Sequence, residues 1–303
     1  MDVRQLSALL AVADHGTFSA AADALHTVQS NVSAHVARLE KELGTQLIDR
    51  GQGRLTDEGE AVVRRARRIL SEFDAVKADV AALRNEVIGE VRIGLIGTTA
   101  RWLVPQILSI MNERHPKAHI RVNEGTTSQL EPQLSSGAID LAVVLLPIPA
   151  PEIAATPLFR EDMLLVVPED HRFADKQSIT VAELSELPLI LPPPGTAARA
   201  ELDAAAAEAG TALHAKAEVD GVRLTASLVF DGYGPSILPA TALPNYLRED
   251  WKLVTVTGLP RRMVGLAHQR RAYPSAPARA LREVLVEVVN SGADLHPGLH
   301  LPS

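Results

Sequence analysis

Residues 18–43 read FSAAADALHTVQSNVSAHVARLEKEL, and this stretch decides the fold of the N-terminal region. Val32, Val36, Leu39 and Leu43 recur at steps of four, three and four, one apolar stripe on a helix from about Val28 to Leu43 that Gly44 stops. A shorter helix, Ala20 to Leu25, precedes it, with Thr17 or Ser19 as its cap and a small-residue face that permits close packing. A short helix, a tight turn and a second helix with one polar face form helix-turn-helix grammar. The second helix keeps Val32, Val36 and Leu39 inward. It turns Gln29, Ser30, Ser33, Ala34, His35 and Arg38 outward, with Asn31 beside them. Glutamine bonds adenine through two contacts, serine bonds bases or phosphates, and arginine bonds guanine or phosphate. Residues near the N-terminal end of such a helix reach base edges. A solvated surface face fits the same pattern equally well.

Working outward, Leu6, Leu9, Leu10 and Val12 mark an earlier helix ended by Gly16. Downstream, Leu47–Arg50 and Arg54–Thr56 bracket the tip Gly51-Gln52-Gly53, which reads as a small hairpin. Thr56 is a good cap for a long helix predicted from Asp57 to about Ile88. Its apolar residues Val62, Ala66, Ile69, Phe73, Val76, Val80, Leu83 and Val87 alternate in steps of four and three. That is a heptad seam, spanning roughly 45 Å at the helical rise, and it is read as a self-association surface. Packing on the chain's own globule is the alternative. Arg64, Arg65, Arg67 and Arg68 form a basic run here, more simply a solvated face than a phosphate contact.

From Val91 onward strands and helices alternate, which is α/β architecture. Strands are predicted at Val91–Ile96, His119–Glu124, Ile139–Leu146, Met163–Val167, Leu189–Leu191, Ala215–Val219, Ser236–Leu238 and Met263–His268. Helices are predicted at Thr99–His115, Ser128–Ser135, Val181–Ser185, Ala197–Ala209, Arg223–Phe230 and Pro277–Val289. The nearly continuous apolar run Ile139–Leu146 suits a parallel strand covered on both faces. The material suffices for two lobes, with crossings near Arg160–Leu164 and Gly265–His268 and a frayed tail, Asn290–Ser303. The expected organisation is a DNA-reading unit at 1–58, a linker helix at 59–89 and an α/β domain at 90–303. Its first lobe takes about 90–161 and 268–292, and its second about 162–267.

Composition narrows the function. The 303 residues carry 30 Lys+Arg against 37 Asp+Glu, a formal charge of -7, and no cysteine. Disulfides, thiolate zinc sites, cysteine nucleophiles and thiol redox sensing are excluded together. No G-x-S-x-G elbow, H-E-x-x-H pair or P-loop occurs. Gly232-Tyr233-Gly234 lacks a third glycine. His115 with His119, and His296 with His300, do not read as metal pairs. No catalytic residue, metal or cofactor is expected. Asp2 and Arg4 make the N-terminus too polar for a signal peptide, and the longest uncharged run, Gly232–Leu247, is broken by glycine and proline. A cytoplasmic protein is the expectation. Residues 1–68 hold nine basic and nine acidic side chains, so attraction to phosphate must come from local placement and from several copies per site.

The segment Ala11–Ala22 is followed by Leu25-His26, Gln29, Ser33, Arg38-Leu39-Glu40, Glu42-Leu43-Gly44, Gln46-Leu47, Arg50 and Leu55–Gly59. In order and spacing it resembles the LysR-type transcriptional regulators. The likeness is dense over residues 2 to about 65 and looser over the rest. It implies a winged helix-turn-helix, a long linker helix and a two-lobed α/β domain resembling the periplasmic binding proteins. It implies promoter DNA as partner, with Gln29, Ser30 and Ser33 in the major groove and Arg50 and Arg54 near the wing and backbone. Ser30 stands where the family commonly has proline, and Ala34 where it commonly has arginine. A dimer on the helical seam would give two reading helices and a palindromic site. The family's common state is a tetramer, and RNA polymerase is a candidate further partner. The absence of cysteine sets the chain apart from the thiol-peroxide-sensing branch.

Three helices of the α/β region read as opening with hydroxyls: Thr98-Thr99, Thr126-Thr127-Ser128, and Thr196 after Pro192-Pro193-Pro194-Gly195. Helix N-termini favour a carboxylate or phosphate. With the lobes facing each other, Thr98 and Thr99 on one side and Gly195-Thr196 on the other pinch an anion, and Arg101 and Arg223 are candidate counter-charges. Plain capping is the alternative. The family's clefts lie at matching places, which implies a small, anionic effector, with Gly97, Thr127, Leu146 and Gly221 lining the walls. Against this stands another class, a small-molecule-binding protein whose N-terminal helices serve assembly alone.

Overall fold

In the computed structural model, residues 1–51, 53–242, 250–270, 273–292 and 296–302 are described. Gln52 of the predicted hairpin tip and residues 243–247 of the long apolar run lie outside them. Three helices open the chain: α1 (Val3–His15), α2 (Phe18–Ala24) and α3 (Gln29–Leu43). Asp2 and Gln5 form a capping box on α1, and Thr17, not Ser19, caps α2. Gly16 and Gly44 take left-handed conformations (φ 77° and 71°), which stop α1 and α3 where the sequence places the stops. Leu9, Val36 and Leu39 are wholly buried in one core with Leu47 and Ile48, and each such burial contributes about 1.5–3 kcal/mol.

The hairpin is minimal, β1 (Ile48–Asp49) against β2 (Arg54–Leu55). Thr56 then caps α4 (Asp57–Ala82) by accepting from the Gly59 N–H. Gly59 is needed there: a Cβ would stand 2.0 Å from the Leu47 carbonyl oxygen. α4 is shorter than predicted. It ends at Ala82, roughly 39 Å long at 1.5 Å per residue. Leu83 caps it, Asn85 turns through a positive φ of 60°, and the chain enters β3 (Gly89–Leu95) beside Ala78. Val87 therefore lies beyond the helix.

The α/β region holds two six-stranded sheets. In the first lobe the order is β14 (Leu299–His300), β6 (Ile153–Glu161), β13 (Arg262–Gln269), β5 (Leu141–Leu146), β3 and β4 (Ala118–Glu124). In the second it is β10 (His214–Glu218), β9 (Pro188–Leu191), β11 (Ser236–Pro239), β7 (Met163–Pro168), β12 (Trp251–Thr257) and β8 (Ser178–Thr180). Helices α5 (Gly97–Arg114), α6 (Thr127–Ser136) and α10 (Ala276–Gly292) serve the first lobe. Helices α7 (Val181–Leu184), α8 (Ala197–Glu208) and α9 (Val222–Phe230) serve the second. No helix among the described residues is long and apolar enough to cross a membrane.

Three expectations are corrected. The return crossing is not at Gly265–His268, because β13 pairs antiparallel with β5 and β6 along its whole length and lies inside the first lobe. The chain crosses at Glu161–Met163 and again between Thr257 and Arg262, so residues 262–267 belong to lobe one. The described part of the tail, residues 290–292 and 296–302, is not frayed. Leu299 and His300 pair with Glu161 and Arg160, and His296 is buried with its ring 4.8 Å from that of Trp102. Finally, β6, β8 and β12 are strands that periodicity did not single out.

Candidate nucleic-acid interface and inter-lobe site

On α3, Gln29, Ser30, Asn31, Ala34 and Arg38 are exposed, while Val32, Val36 and Leu39 are buried beneath them. Ser33 is half-buried on the same side. Val28 is the N-cap and makes no side-chain bond, so the Gln29 and Ser30 N–H groups at the start of α3 are left without a side-chain cap. Two side chains are held locally: the Asn31 amide donates to Thr27 Oγ1 at 3.0 Å, and Arg38 Nε donates to the Ala34 carbonyl at 3.3 Å. His35 stands apart from this row. It is half-buried, its Nδ1 is shielded without a hydrogen-bond partner, and it helps hold the Asp2 carboxyl low, after the larger effect of the Gln5 N–H.

Arg50 and Arg54 are exposed on the hairpin. Glu40, which periodicity does not single out, builds this wing. One carboxylate oxygen accepts from the backbone N–H groups of Leu47 (2.9 Å) and Ile48 (3.3 Å), and the other from Arg50 Nη2 (3.4 Å). A glutamate facing a turn seven residues on was the available signal. The arginine run of α4 divides its attention: Arg64 lies 3.7 Å from Glu60, Arg67 pairs with Asp14, and the Arg68 stem lies against Gly137 of the first lobe.

The predicted seam on α4 also divides. Ala66 is fully buried and Val62 partly buried against the N-terminal core, because α4 leaves the hairpin across that core. Ile69, Phe73, Val76, Val80 and Leu83 are exposed, by 38, 53, 62, 52 and 86%. The opposite side of α4 docks on the first lobe through buried Ala78 and an Asp79–Arg279 ion pair of 3.0 Å.

Between the lobes, α5 begins differently from the prediction. Its N-cap is Ile96, with no side-chain bond, and Thr98 and Thr99 fall inside the first turn. Both are buried, and Thr99 Oγ1 has no hydrogen-bond partner. Thr126, not Thr127, caps α6, in a box with Gln129. The Thr127 hydroxyl instead accepts from the Leu145 N–H at 3.1 Å, tying α6 to the strand end that carries Leu146. Thr196 caps α8 by accepting from the Arg199 N–H and donates to the Pro193 carbonyl, with Gly195 at φ 86° before it. α9 begins behind Gly221, again with no side-chain cap. Arg101 is exposed on α5.

Two of these residues meet across the lobes. A Cβ at Gly97 would lie 3.6 Å from the Arg223 side chain and 2.9 Å from Glu124 Oε1. Arg223 Nη1 lies 3.0 Å from Glu124 Oε2. Glu124 was not singled out by sequence; its position at the end of a strand, just before a helix cap, was the available signal.

Comparison with known proteins agrees with this architecture. Residues 3–60 match the model of the bacterial regulatory helix-turn-helix protein, lysR family, and residues 84–290 that of the LysR substrate binding domain. The chain is 31% identical over 300 residues to the DNA-binding transcriptional dual regulator OxyR of Escherichia coli K12, covering 98% of this chain and 97% of that one. It is 32% identical over 291 residues to a probable hydrogen peroxide-inducible genes activator of Streptomyces viridosporus, covering 93% of each. A full-length OxyR cysteine variant from Pseudomonas aeruginosa shares the fold, with a TM-score of 0.77 at 24% identity, covering 100% of this chain and 99% of that one. CbnR in complex with its target DNA superposes with a TM-score of 0.65 at 25% identity, covering 97% of this chain and 100% of that one. The chain holds no cysteine, yet its likeness to a hydrogen peroxide-inducible genes activator of Escherichia coli extends over almost the full length.

Proposed function

The chain belongs to the LysR family of DNA-binding transcriptional regulators, and from that premise we propose that it reads promoter DNA with α3 and responds to a small oxyanion between its lobes. It acts by binding, not by turnover, in the cytoplasm. The reading surface is Gln29, Ser30, Asn31, Ser33, Ala34 and Arg38, with Arg50 and Arg54 on the flanking backbone and His35 supporting the helix from its buried side. The observation that carries this is the outward row on α3: exposed polar side chains beside uncapped N–H groups, braced by a wholly buried apolar face. Two copies joined through Ile69, Phe73, Val76, Val80 and Leu83 present two such rows to a palindromic site, and pairs of dimers form the tetramer. Domain limits near 1–58, 59–89 and 90–303 serve this division of labour, and RNA polymerase is the downstream partner.

The effector enters between α5 and α9. Gly97, Thr98 and Thr99 offer first-turn N–H groups and hydroxyls, and Arg223 offers charge from the facing lobe. Arg101, Thr127, Leu146, Gly195, Thr196 and Gly221 complete the candidate lining. Support comes from the uncapped start of α5 and from the unpartnered, buried Thr99 hydroxyl, a group that costs stability unless something bonds it. The effector shifts the balance between lobe arrangements rather than touching DNA.

The test is selection of duplexes from a random pool by the full-length protein. Gln29→Ala with Ser33→Ala is expected to lose about 10- to 100-fold in affinity for the selected sites while keeping salt-dependent, non-specific binding. Undiminished affinity for the selected sites would remove α3 as the reading helix.

A further inference from the structure

Where the lobes meet, two helix starts converge. α5 begins behind Ile96 and α9 behind Gly221, and neither residue supplies a side-chain cap. First-turn N–H groups without partners carry partial positive charge. Arg223 adds a full charge in the first turn of α9, where the helix dipole disfavours a cation. Local helix energetics therefore do not explain Arg223. Its partner across the gap does: the Glu124 carboxylate, with Oε2 at 3.0 Å from Nη1. The other oxygen of the same carboxylate lies beside Gly97, so close that a Cβ there would stand 2.9 Å from it. One carboxylate thus bridges a guanidinium of the second lobe and the start of a helix of the first.

We propose that Glu124 is a tethered counter-ion that occupies the place of the effector's oxyanion and latches the lobes together until an effector displaces it. This rests on the inter-lobe oxyanion site proposed above. Three observations carry it. The carboxylate sits between the two groups that would bind an anion. Residue 97 is a glycine, and any side chain would push that carboxylate away. The ion pair is part-exposed, 58% for Arg223 and 38% for Glu124, and pairs of that exposure are weak enough to be exchanged. An entering carboxylate or phosphate takes over the contacts to Arg223 and to the α5 N-terminus, and Glu124 swings to solvent. The lobes are then joined through the ligand instead of through the chain, so lobe geometry comes to report the ligand.

The absence of cysteine makes the test clean. Spin labels on Ser109→Cys, exposed on α5, and Glu208→Cys, exposed on α8, report the inter-lobe distance in the full-length protein by pulsed electron resonance. Without added anion, Glu124→Gln and Arg223→Gln are each expected to broaden and lengthen the distance distribution. Glu113→Gln, an exposed carboxylate elsewhere on the first lobe, is expected to leave it unchanged. The swap of Glu124→Arg with Arg223→Glu is expected to restore it. Sulfate, titrated by calorimetry, is expected to bind Glu124→Gln about two- to fivefold more tightly than the parent chain. Distributions in Glu124→Gln and Arg223→Gln that match the parent overturn the latch. Equal sulfate affinity in parent and Glu124→Gln overturns the displacement. Opened lobes with no sulfate binding to either protein overturn the oxyanion reading of the cleft and the displacement step with it.

Discussion

Glu161 Oε2, wholly buried at the end of β6, accepts a hydrogen bond from Thr241 Oγ1 at 2.8 Å and a longer one from the Thr241 backbone N–H at 3.3 Å. Glu161 closes the first lobe's strand, and Thr241 sits in the short 3₁₀ turn (Ala240–Ala242) after β11 of the second. Arg262 Nε lies 3.6 Å from Oε1, and both of those atoms are buried without a hydrogen-bond partner. The two lobes are therefore tied at their crossing point by a buried carboxylate whose closest hydrogen-bond donor is a single hydroxyl.

Removing that hydroxyl leaves a buried carboxyl oxygen without its closest hydrogen-bond donor. Thr241→Val is expected to cost about 2 kcal/mol, a fall in Tm of about 4–8 °C. Thr241→Ser, which keeps the hydroxyl, is expected to retain most of the stability. Thermal unfolding followed by circular dichroism checks both, and a valine variant as stable as the parent would mean that the Arg262 charge alone holds Glu161.

Phe73 is 53% exposed at the middle of the free apolar face of α4 and belongs to neither adjoining core. Phe73→Asp is expected to leave folding intact and to split dimers, because a carboxylate buried in a seam without a partner is unfavourable. Sedimentation velocity reads the result directly. A sedimentation coefficient identical to that of the parent would move the interface elsewhere.

Acid sensitivity has a local source in the second lobe. The Lys176 ammonium at 2.7 Å, followed by the N–H and hydroxyl of Thr180, holds the Glu183 carboxyl down to about 2. The folded value is depressed, so the stabilisation is fully present above the ordinary carboxylate range. It is lost as pH falls from about 4.5 towards 2. Glu183→Gln is expected to flatten that part of the stability-versus-pH curve while leaving the slope above pH 6 unchanged. Denaturant melts at several pH values decide it.

Much of the N-terminal unit is legible in the sequence because its signals are local. The apolar steps of α3, the glycine stops and the Thr17 and Thr56 caps each act within about one helical turn. The outgoing crossing is legible near Arg160–Leu164, but the return crossing is not. The run Val264–Ala267 reads the same whichever sheet it joins, and only pairing with β5 and β6 assigns it. β6 hides for a different reason. Pro157 and the register shift opposite Val264 and Gly265 break its alternation, and a bulge is where a strand tolerates proline. Leu299 and His300 form a strand because β6 offers them an edge.

The candidate sites divide the same way. Gln29, Ser33 and Arg223 were nameable from pattern; Glu40 and Glu124 were not, since each acts through a partner brought to it by packing. Local order along the chain settles which segments are helices that stop, which face of α3 is polar, and that no thiol is available to the chemistry. Periodicity, capping and composition suffice for that, because they depend on neighbours along the chain. Packing alone settles that part of the α4 stripe is covered by its own globule, that Glu124 answers Arg223 across the lobes, and that Glu161 meets Thr241, 80 residues away. Such pairs carry no local signature. They form when two cores have closed and the side chains left between them must satisfy one another.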